Sequence, residues 1–521
     1  MTDSSTSRQS SFAEAGLRKT VEAHLAEIKK LYSEDQIPWI VGYSGGKDST
    51  ATLQLIWLAI SQLQNDKRHK PIFVISTDTL VENPVVSAWV TKSLAVMNAA
   101  ARERGLPIFV EQLKPKVSDT FWVNLIGRGY PAPRPKFRWC TERLKIKPVD
   151  EFINSVVKQN GEAIVILGTR KAESAVRAAR INRSEMGRVR DHLSPHPELP
   201  NAYVYAPIVD WTNDDVWLFL MQVKNPWGYN NKDLLTMYQG ASQDGECPLV
   251  VDTTTPSCGD SRFGCWVCTL VDKDKSMSAM VQNDQEKAWM EPMLSLRNDL
   301  DGHDHDKRDF RRMNGTVQLF RERDDPIPGP YTVTSREDWL RKLLTVQETV
   351  RRNPKTPELV RNIELISLEE LQEIRRLWVV EKYEIEDTVP KIYLEVTGNP
   401  FEGAPIDSNQ PFHHEEMQLL KESCDDDPLR FELVRELLEV ERRYRGSARR
   451  SDLFKRLESA FKRSFYEDVD DASAVAKEKQ QLRSIVESLR GDELDFPETR
   501  AAVGQVMDRT DRSIPKKAAQ S

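Results

Sequence analysis

The stretch Ile37–Thr50, IPWIVGYSGGKDST, constrains this chain more than any other segment. An apolar run of strand length ends directly in Ser44-Gly45-Gly46-Lys47-Asp48-Ser49, and a helical pattern follows from Asp48. Two adjacent glycines let the backbone turn tightly and bring its N–H groups close to an anion. The helix behind them adds free N–H donors and the positive end of its dipole. Lys47 can neutralise phosphate charge, and the hydroxyls of Ser44 and Ser49 can hydrogen-bond to it. The segment reads as a phosphate-binding loop that joins a strand to a helix. It is not the common P-loop, which needs glycine six positions before its lysine and Ser or Thr just after it. Here those positions hold Val41 and Asp48.

A chain of 521 residues has room for two or more domains, each with its own core. With 39% hydrophobic and 30% charged residues it reads as a soluble intracellular protein with many exposed helices. The start, MTDSSTSRQSSF, lacks the apolar core of a secretory signal. Apolar stretches such as Leu53 to Ile60 are too short to cross a bilayer, so no membrane association is expected. The net charge of −7 means that nucleic-acid binding must use local basic patches. Four of the six cysteines lie within 22 residues, which points to a metal or cluster site in a reducing compartment, the cytoplasm by default.

Residues 1–11 read as a disordered leader, and Ala13 to Leu31 as an amphipathic helix. Strand and helix signals then alternate. Strands are predicted at 37–43, 71–77, 107–113 and 163–168, with a fifth at 203–209. Helices are predicted at Asp48 to Gln64, Pro84 to Arg104 and Glu142 to Lys158. This alternation implies an α/β fold, a doubly wound parallel sheet covered on both faces. Ligands of such sheets bind at the carboxyl ends of the strands, where the glycine loop sits.

Past residue 275 the composition shifts to Glu, Arg, Lys and Leu with recurring helical periodicity. Helices are predicted at Arg336 to Arg351, Ser367 to Glu384, His414 to Ser423, Pro428 to Arg445 and Ser473 to Leu489. IYLEV (392–396) reads as one strand among them, and Thr397 to Phe412 as a loop. The organisation expected is an α/β domain over 12–240, a cysteine segment over 241–275 and a mainly helical region over 276–508. A disordered tail over 509–521 completes it.

Further signals lie at the predicted strand ends. Thr77-Asp78-Thr79 closes the second strand and is followed by Glu82-Asn83-Pro84, a polar cluster placed for a nucleotide or simply for capping a helix. Arg138-Trp139-Cys140-Thr141-Glu142-Arg143-Leu144-Lys145-Ile146-Lys147-Pro148 sets a thiol among cations at a helix start, which favours the nucleophilic thiolate. Gly168-Thr169-Arg170-Lys171-Ala172-Glu173-Ser174 follows the fourth strand, with Arg177 and Arg180 beyond, and its place beside the phosphate loop favours an anion contact by Arg170.

Together these segments resemble the PAPS reductase branch of the PP-loop ATP pyrophosphatases, over residues 35 to 275. The family pairs SGGKDS with a TDT-like strand end, R-x-C-T-x-x-x-K-x-x-P, G-x-R-x-x-E-S and W-T-x-x-D-V-W, the last present as Trp211-Thr212-Asn213-Asp214-Asp215-Val216-Trp217. The resemblance implies cleavage of ATP between its α and β phosphates with Mg²⁺. It assigns Ser44, Gly45, Gly46, Lys47, Asp48, Ser49, Asp78, Arg138, Lys145 and Arg170 to ATP or pyrophosphate, with Lys47, Asp48 and Cys140 as catalytic candidates. Reductases proper carry a catalytic Cys near their C-terminus. No Cys follows Cys424 here, so reduction of a sulfonucleotide is not the expected activity.

Cys247, Cys258, Cys265 and Cys268 have the spacing C-x10-C-x6-C-x2-C. Four thiolates in one segment can hold zinc or a [4Fe–4S] cluster, and the irregular spacing with Gly and Pro fits the larger cluster better. PAPS reductase motifs followed by this segment and a long helical region resemble the DndC family, the sulfurtransferase components of bacterial DNA phosphorothioation systems. The ATP-pyrophosphatase subunits of the single-strand phosphorothioation system are its near neighbours. The resemblance implies ATP, Mg²⁺ and a [4Fe–4S] cluster as cofactors. It implies a cysteine desulfurase as sulfur donor, an SMC-like ATPase among the companion proteins, and DNA as substrate, with Cys140 or the cluster receiving the sulfur. Arg442 to Arg463 holds nine basic residues against two acidic ones, a density that suits DNA phosphates or a solvated helix face.

Overall fold

The computed structural model describes residues 9–240, 264–320, 325–382, 384, 386–404, 414–425, 427–445, 452–464 and 466–491. Cys247, Cys258, most of the expected leader and the whole expected tail lie outside the described residues. Two compact units are present. The first comprises residues 1–121, 133–301 and 346–365, and the second comprises 122–132, 302–345 and 366–521.

The first unit is built on β1 (Trp39–Gly42), β2 (Ile72–Thr77), β3 (Ile108–Leu113), β4 (Ala163–Ile166), β5 (Ser194–Pro195) and β6 (Ala202–Tyr205). They form one sheet in the order β3-β2-β1-β4-β6-β5, parallel throughout except for the edge pair β5–β6. Trp39 of β1 stands level with Ile72 on one side and Ile164 on the other. Side chains alternate between faces, as the two-residue period of a strand dictates. Trp39, Val41, Ile72, Val74, Ile164 and Ile166 pack on one face with α1 (Gly16–Ser33), α2 (Lys47–Ser61) and α3 (Pro84–Glu103). Ile40, Ile75, Ala163 and Val165 pack on the other with Ile153 and Val156 of α4 (Lys147–Asn160). Both faces are therefore dry, which is why these strands appear in the sequence as continuous apolar runs. The chain continues through α5 (Ala175–Met186), α6 (Asn213–Gln222) and α7 (Asn231–Gly240).

The expected doubly wound sheet is present. Its strand order reverses between β1 and β4, so the crevice at their carboxyl ends is the topological switch point. The fifth strand stops at Tyr205 because residues 206–211 turn, with Val209 N–H on Ala206 O and Trp211 N–H on Ile208 O. The helix expected from Glu142 begins earlier, at Trp139, and widens into an i→i+5 turn over Glu142–Ile146 before α4.

The second unit is helical. Helices span Leu368–Arg376, Thr388–Thr397, His414–Ser423, Pro428–Tyr444, Leu453–Arg463 and Val469–Gly491. The strand expected at IYLEV is not formed, since those residues lie inside Thr388–Thr397. Buried Val389, Ile392 and Thr397 fall at helical spacing, and packing of that face overrides the strand preference of the β-branched residues. Ser367 and Glu370 cap the start of their helix reciprocally. Arg336 lies buried over the Trp378 ring and donates to Glu384 at 2.9 Å, while Trp378 Nε1 donates to Ile126 O. Beside this pair sits Lys382, whose pKa burial lowers to about 8.

Unfolded lysine titrates at about 10.4. Between those values the unfolded chain holds a proton that the folded one lacks, so stability is expected to rise from pH 8 toward pH 10. Lys382→Met should remove that rise and raise stability at pH 7 by about 1–2 kcal/mol. Urea unfolding of both proteins at pH 7, 8.5 and 10 measures this, and parallel profiles would show that Lys382 is solvated.

Candidate nucleotide and thiol site

The glycine loop opens at the switch point, and its backbone follows from its glycines. Gly45 has φ +76°, and a Cβ there would stand 2.5 Å from Val90 Cγ2, so glycine is required for both conformation and space. Gly46 caps α2, whose first residue is Lys47. Ser49 Oγ donates to Gly46 O at 3.0 Å and accepts from Ser44 N–H at 3.2 Å, which closes the loop on itself. Ser44 Oγ lies 3.2 Å from Ser49 Oγ. The first N–H groups of a helix have no partner within it, and here they face the carboxyl edge of the sheet.

Asp48 is engaged. Its Oδ1 accepts from Arg170 Nε at 2.7 Å and its Oδ2 lies 3.3 Å from Lys47 Nζ. The Arg170 side chain is 5% exposed and also reaches Trp211 O at 3.4 Å. That carbonyl is held in place because Thr212 and Asp215 cap α6 reciprocally. Gly168 completes the join. A Cβ on it would lie 2.8 Å from the carbonyl carbon and oxygen of Asp48, so only glycine lets the end of β4 approach the first turn of α2. Sequence reasoning placed Arg170 on an anion, and the structure puts it on the Asp48 carboxylate.

Tyr238 on α7 is a site residue that no sequence signal marked. Its hydroxyl accepts the Lys47 N–H at 3.4 Å, and its ring lies 5.6 Å from Lys47 Nζ. Trp217 holds the ring edge-on at 5.2 Å. A phenol oxygen thus occupies the donor at the head of α2.

The second group lies at the end of β2. Asp78 N–H joins Leu113 O and its Oδ1 caps the Leu80 N–H, so its observed contacts serve the turn. Thr79 Oγ1 donates to Glu82 Oε1 at 2.9 Å and lies 3.4 Å from Cys265 Sγ. Glu82 and Cys265 pair as an antiparallel bridge, and Trp266 N–H donates to Val81 O at 3.0 Å. Cys268 N–H turns back onto Cys265 O at 3.1 Å, which brings two soft sulfur donors into one turn. The Lys145 ammonium lies 4.0 Å from Glu82 Oε1, and Cys265 is the main cause of its raised pKa, with Glu82, Cys140 and Cys268 adding to it. Lys145 therefore belongs with the thiols.

Burial pushes Cys265 up to about 12, with Glu82 adding to the rise. Burial likewise raises Cys140, and Cys268 adds to it against the opposing Lys145. The thiolate expected for Cys140 from its basic neighbours is thus opposed by desolvation. Arg138 is exposed and donates to Pro135 O, and Arg143 pairs with Asp119 at 2.6 Å, so neither cation contributes there. Among the described residues no three His, Cys, Asp or Glu side chains are gathered closely enough to hold a metal ion. No described helix is long and apolar enough to cross a membrane.

Residues 38–270 match the family model of the phosphoadenosine phosphosulfate reductase domain. With the geometry above, this region has a PAPS reductase-like fold. An uncharacterized protein of Methanocaldococcus jannaschii is 28% identical over 200 residues, which are 38% of this chain and 35% of that relative. The chain thus spans about a third of that relative's length. Among solved structures, PAPS reductase from Candida auris in a phosphate complex is 13% identical, with a TM-score of 0.26, over 42% of this chain and 90% of its own. The U34-tRNA thiolase NcsA from Methanococcus maripaludis with its [4Fe-4S] cluster gives the same identity and score over 55% and 81%.

Breaking a buried ion pair by removing one charge strands the other. Asp48→Asn is therefore expected to destabilise the fold by about 3 kcal/mol, because Arg170 loses its carboxylate. Arg170→Met in the Asp48→Asn background should restore part of that loss. Thermal unfolding of the two variants checks this, and an Asp48→Asn protein as stable as the parent would mean that Arg170 finds another anion.

Proposed function

We propose that this protein is an ATP pyrophosphatase and sulfurtransferase acting on DNA, and that it activates a backbone phosphate so that sulfur can replace a non-bridging oxygen. The observation that carries the reading is the strand–SGGKDS–helix unit at the switch point of the sheet. A phosphodiester oxygen is a very poor leaving group. Attack by that oxygen on the α-phosphorus of ATP would break the bond to the β-phosphate and release pyrophosphate. Sulfur at the oxidation level of sulfide would then attack the DNA phosphorus, and AMP would leave with the oxygen.

The N–H groups of the loop and of the head of α2, with Lys47, would take the negative charge that grows on the departing pyrophosphate. Mg²⁺ would share that charge when bound. Asp48, already tied to Arg170, would fix the first turn of α2 and with it the angle of Lys47. Tyr238 would give up the Lys47 N–H to a phosphate oxygen.

Cys265 and Cys268, with Cys247 and Cys258 outside the described residues, would hold a [4Fe–4S] cluster. Two sulfurs share one turn, and Lys145 facing them would offset the burial that opposes the Cys265 thiolate. When bound, such a cluster supplies a site at which inorganic sulfur can be held. Cys140 or the cluster would receive the sulfane sulfur of a cysteine desulfurase persulfide, and an external dithiol, oxidised to its disulfide, would supply the two electrons that bring that sulfur to the level of sulfide.

Pyrophosphate should appear from ATP with Mg²⁺, and Lys47→Ala should lower its rate by about 10²-fold or more. Enzymatic pyrophosphate detection with mass spectrometry of AMP tests this, and orthophosphate with ADP as products would remove the PP-loop assignment.

Protein purified without oxygen should be brown and carry about four irons per chain. Cys265→Ser or Cys268→Ser should bleach it, while Cys424→Ser should not. Tightly bound zinc without iron would replace the cluster by a structural metal site.

A further inference from the structure

Helix α5 and the turn behind it, Ala175 to Arg190, carry charge that the fold does not use. Five arginines stand there against one acidic residue, Glu185. Ala178 is the one buried residue of α5. Three of the arginines have partners. Arg177 pairs with Glu173, Arg188 with Glu185 at 3.0 Å, and Arg190 with Asp35 at 2.9 Å. Arg180 and Arg183 are exposed and make no side-chain hydrogen bond or ion pair with any described residue. Their spacing sets them on neighbouring positions of one helix face, with Val176, 76% exposed, one turn before Arg180.

The helix is also fastened to the phosphate crevice. Arg170 holds Asp48 through its side chain, and its own N–H donates to Glu173 Oε1 at 2.9 Å. Glu173 pairs with Arg177, and Ser174 Oγ accepts the Arg177 N–H at 3.2 Å. The first turn of α5 is therefore fixed to the residue that holds Asp48, and two exposed guanidinium groups without a partner among the described residues follow it.

We propose that the Arg180–Arg183 face of α5 is a seat for the phosphodiester backbone of the nucleic acid whose phosphate enters the crevice. This rests on reading the crevice as a site that acts on a DNA phosphate. A polymer with one phosphate in the crevice must carry its neighbouring phosphates across the flanking surface, and α5 is the flank tied to Arg170. Guanidinium groups bind phosphate oxygens through paired N–H donors and stay charged throughout the accessible pH range. The exposed Val176, Met186 and Val189 are separated by polar residues, so the face lacks the continuous apolar stripe that a lipid surface would require.

The test uses the full chain, a fluorescein-labelled DNA duplex and a labelled polyglutamate peptide, with fluorescence anisotropy as readout. Arg180→Glu with Arg183→Glu should weaken duplex binding at least 10-fold at low salt. The slope of log K against log salt should fall by about 2, one unit per lost phosphate contact. Pyrophosphate release from ATP with water as acceptor should be unchanged, and Arg180→Lys with Arg183→Lys should keep most of the binding.

Duplex binding and salt slope equal to the parent's would overturn the proposal, as would a loss confined to the peptide. The two readings can fail separately. A parent chain that binds duplex through these arginines but releases no pyrophosphate would keep the surface and remove the chemistry. A chain that releases pyrophosphate while the charge-reversed variant binds duplex normally would remove the surface alone.

Discussion

The Asp48–Arg170 ion pair joins the two sides of the switch point, and the order of the site follows from it. Asp48 belongs to the first turn of α2 and Arg170 to the segment after β4. These segments are far apart in sequence, and the sheet brings them together by placing β4 beside β1. Gly168 makes the approach sterically possible, and the Trp211 carbonyl supplies a further acceptor for the buried guanidinium. A charge so nearly excluded from water persists only with such partners. The motifs SGGKDS, GTRKAES and WTNDDVW are thus three contributions to one buried contact.

Around that contact, two kinds of chemistry share the carboxyl edge of one sheet. β1 delivers the phosphate loop and its neighbour β2 delivers the turn that meets Cys265. The same edge therefore carries the head of α2 and the turn that meets Cys265, at the ends of adjacent strands.

Much of the sheet was legible because its strands are buried on both faces and announce themselves as apolar runs. β5 was not, since two residues with a proline carry no pattern. IYLEV misled because β-branched residues favour strands while its buried positions follow helical spacing. The glycine turn that joins β1 to α2 could be read from six adjacent residues. The partnership of Lys145 and Glu82 with Cys265, and of Cys140 with Cys268, could not, because it joins segments that only the fold brings together. Tyr238 was invisible for a similar reason: one tyrosine on an amphipathic helix has no local mark that it will reach Lys47.

The backbone bridge between Glu82 and Cys265 closes over 183 residues of chain. Contacts of such separation cost loop-closure entropy that local structure must first offset, so they form after the elements between them. On a growing chain, β2 through α7 emerge before Cys265 does. The thiols of Cys265 and Cys268 therefore reach the end of β2 only when the sheet already stands.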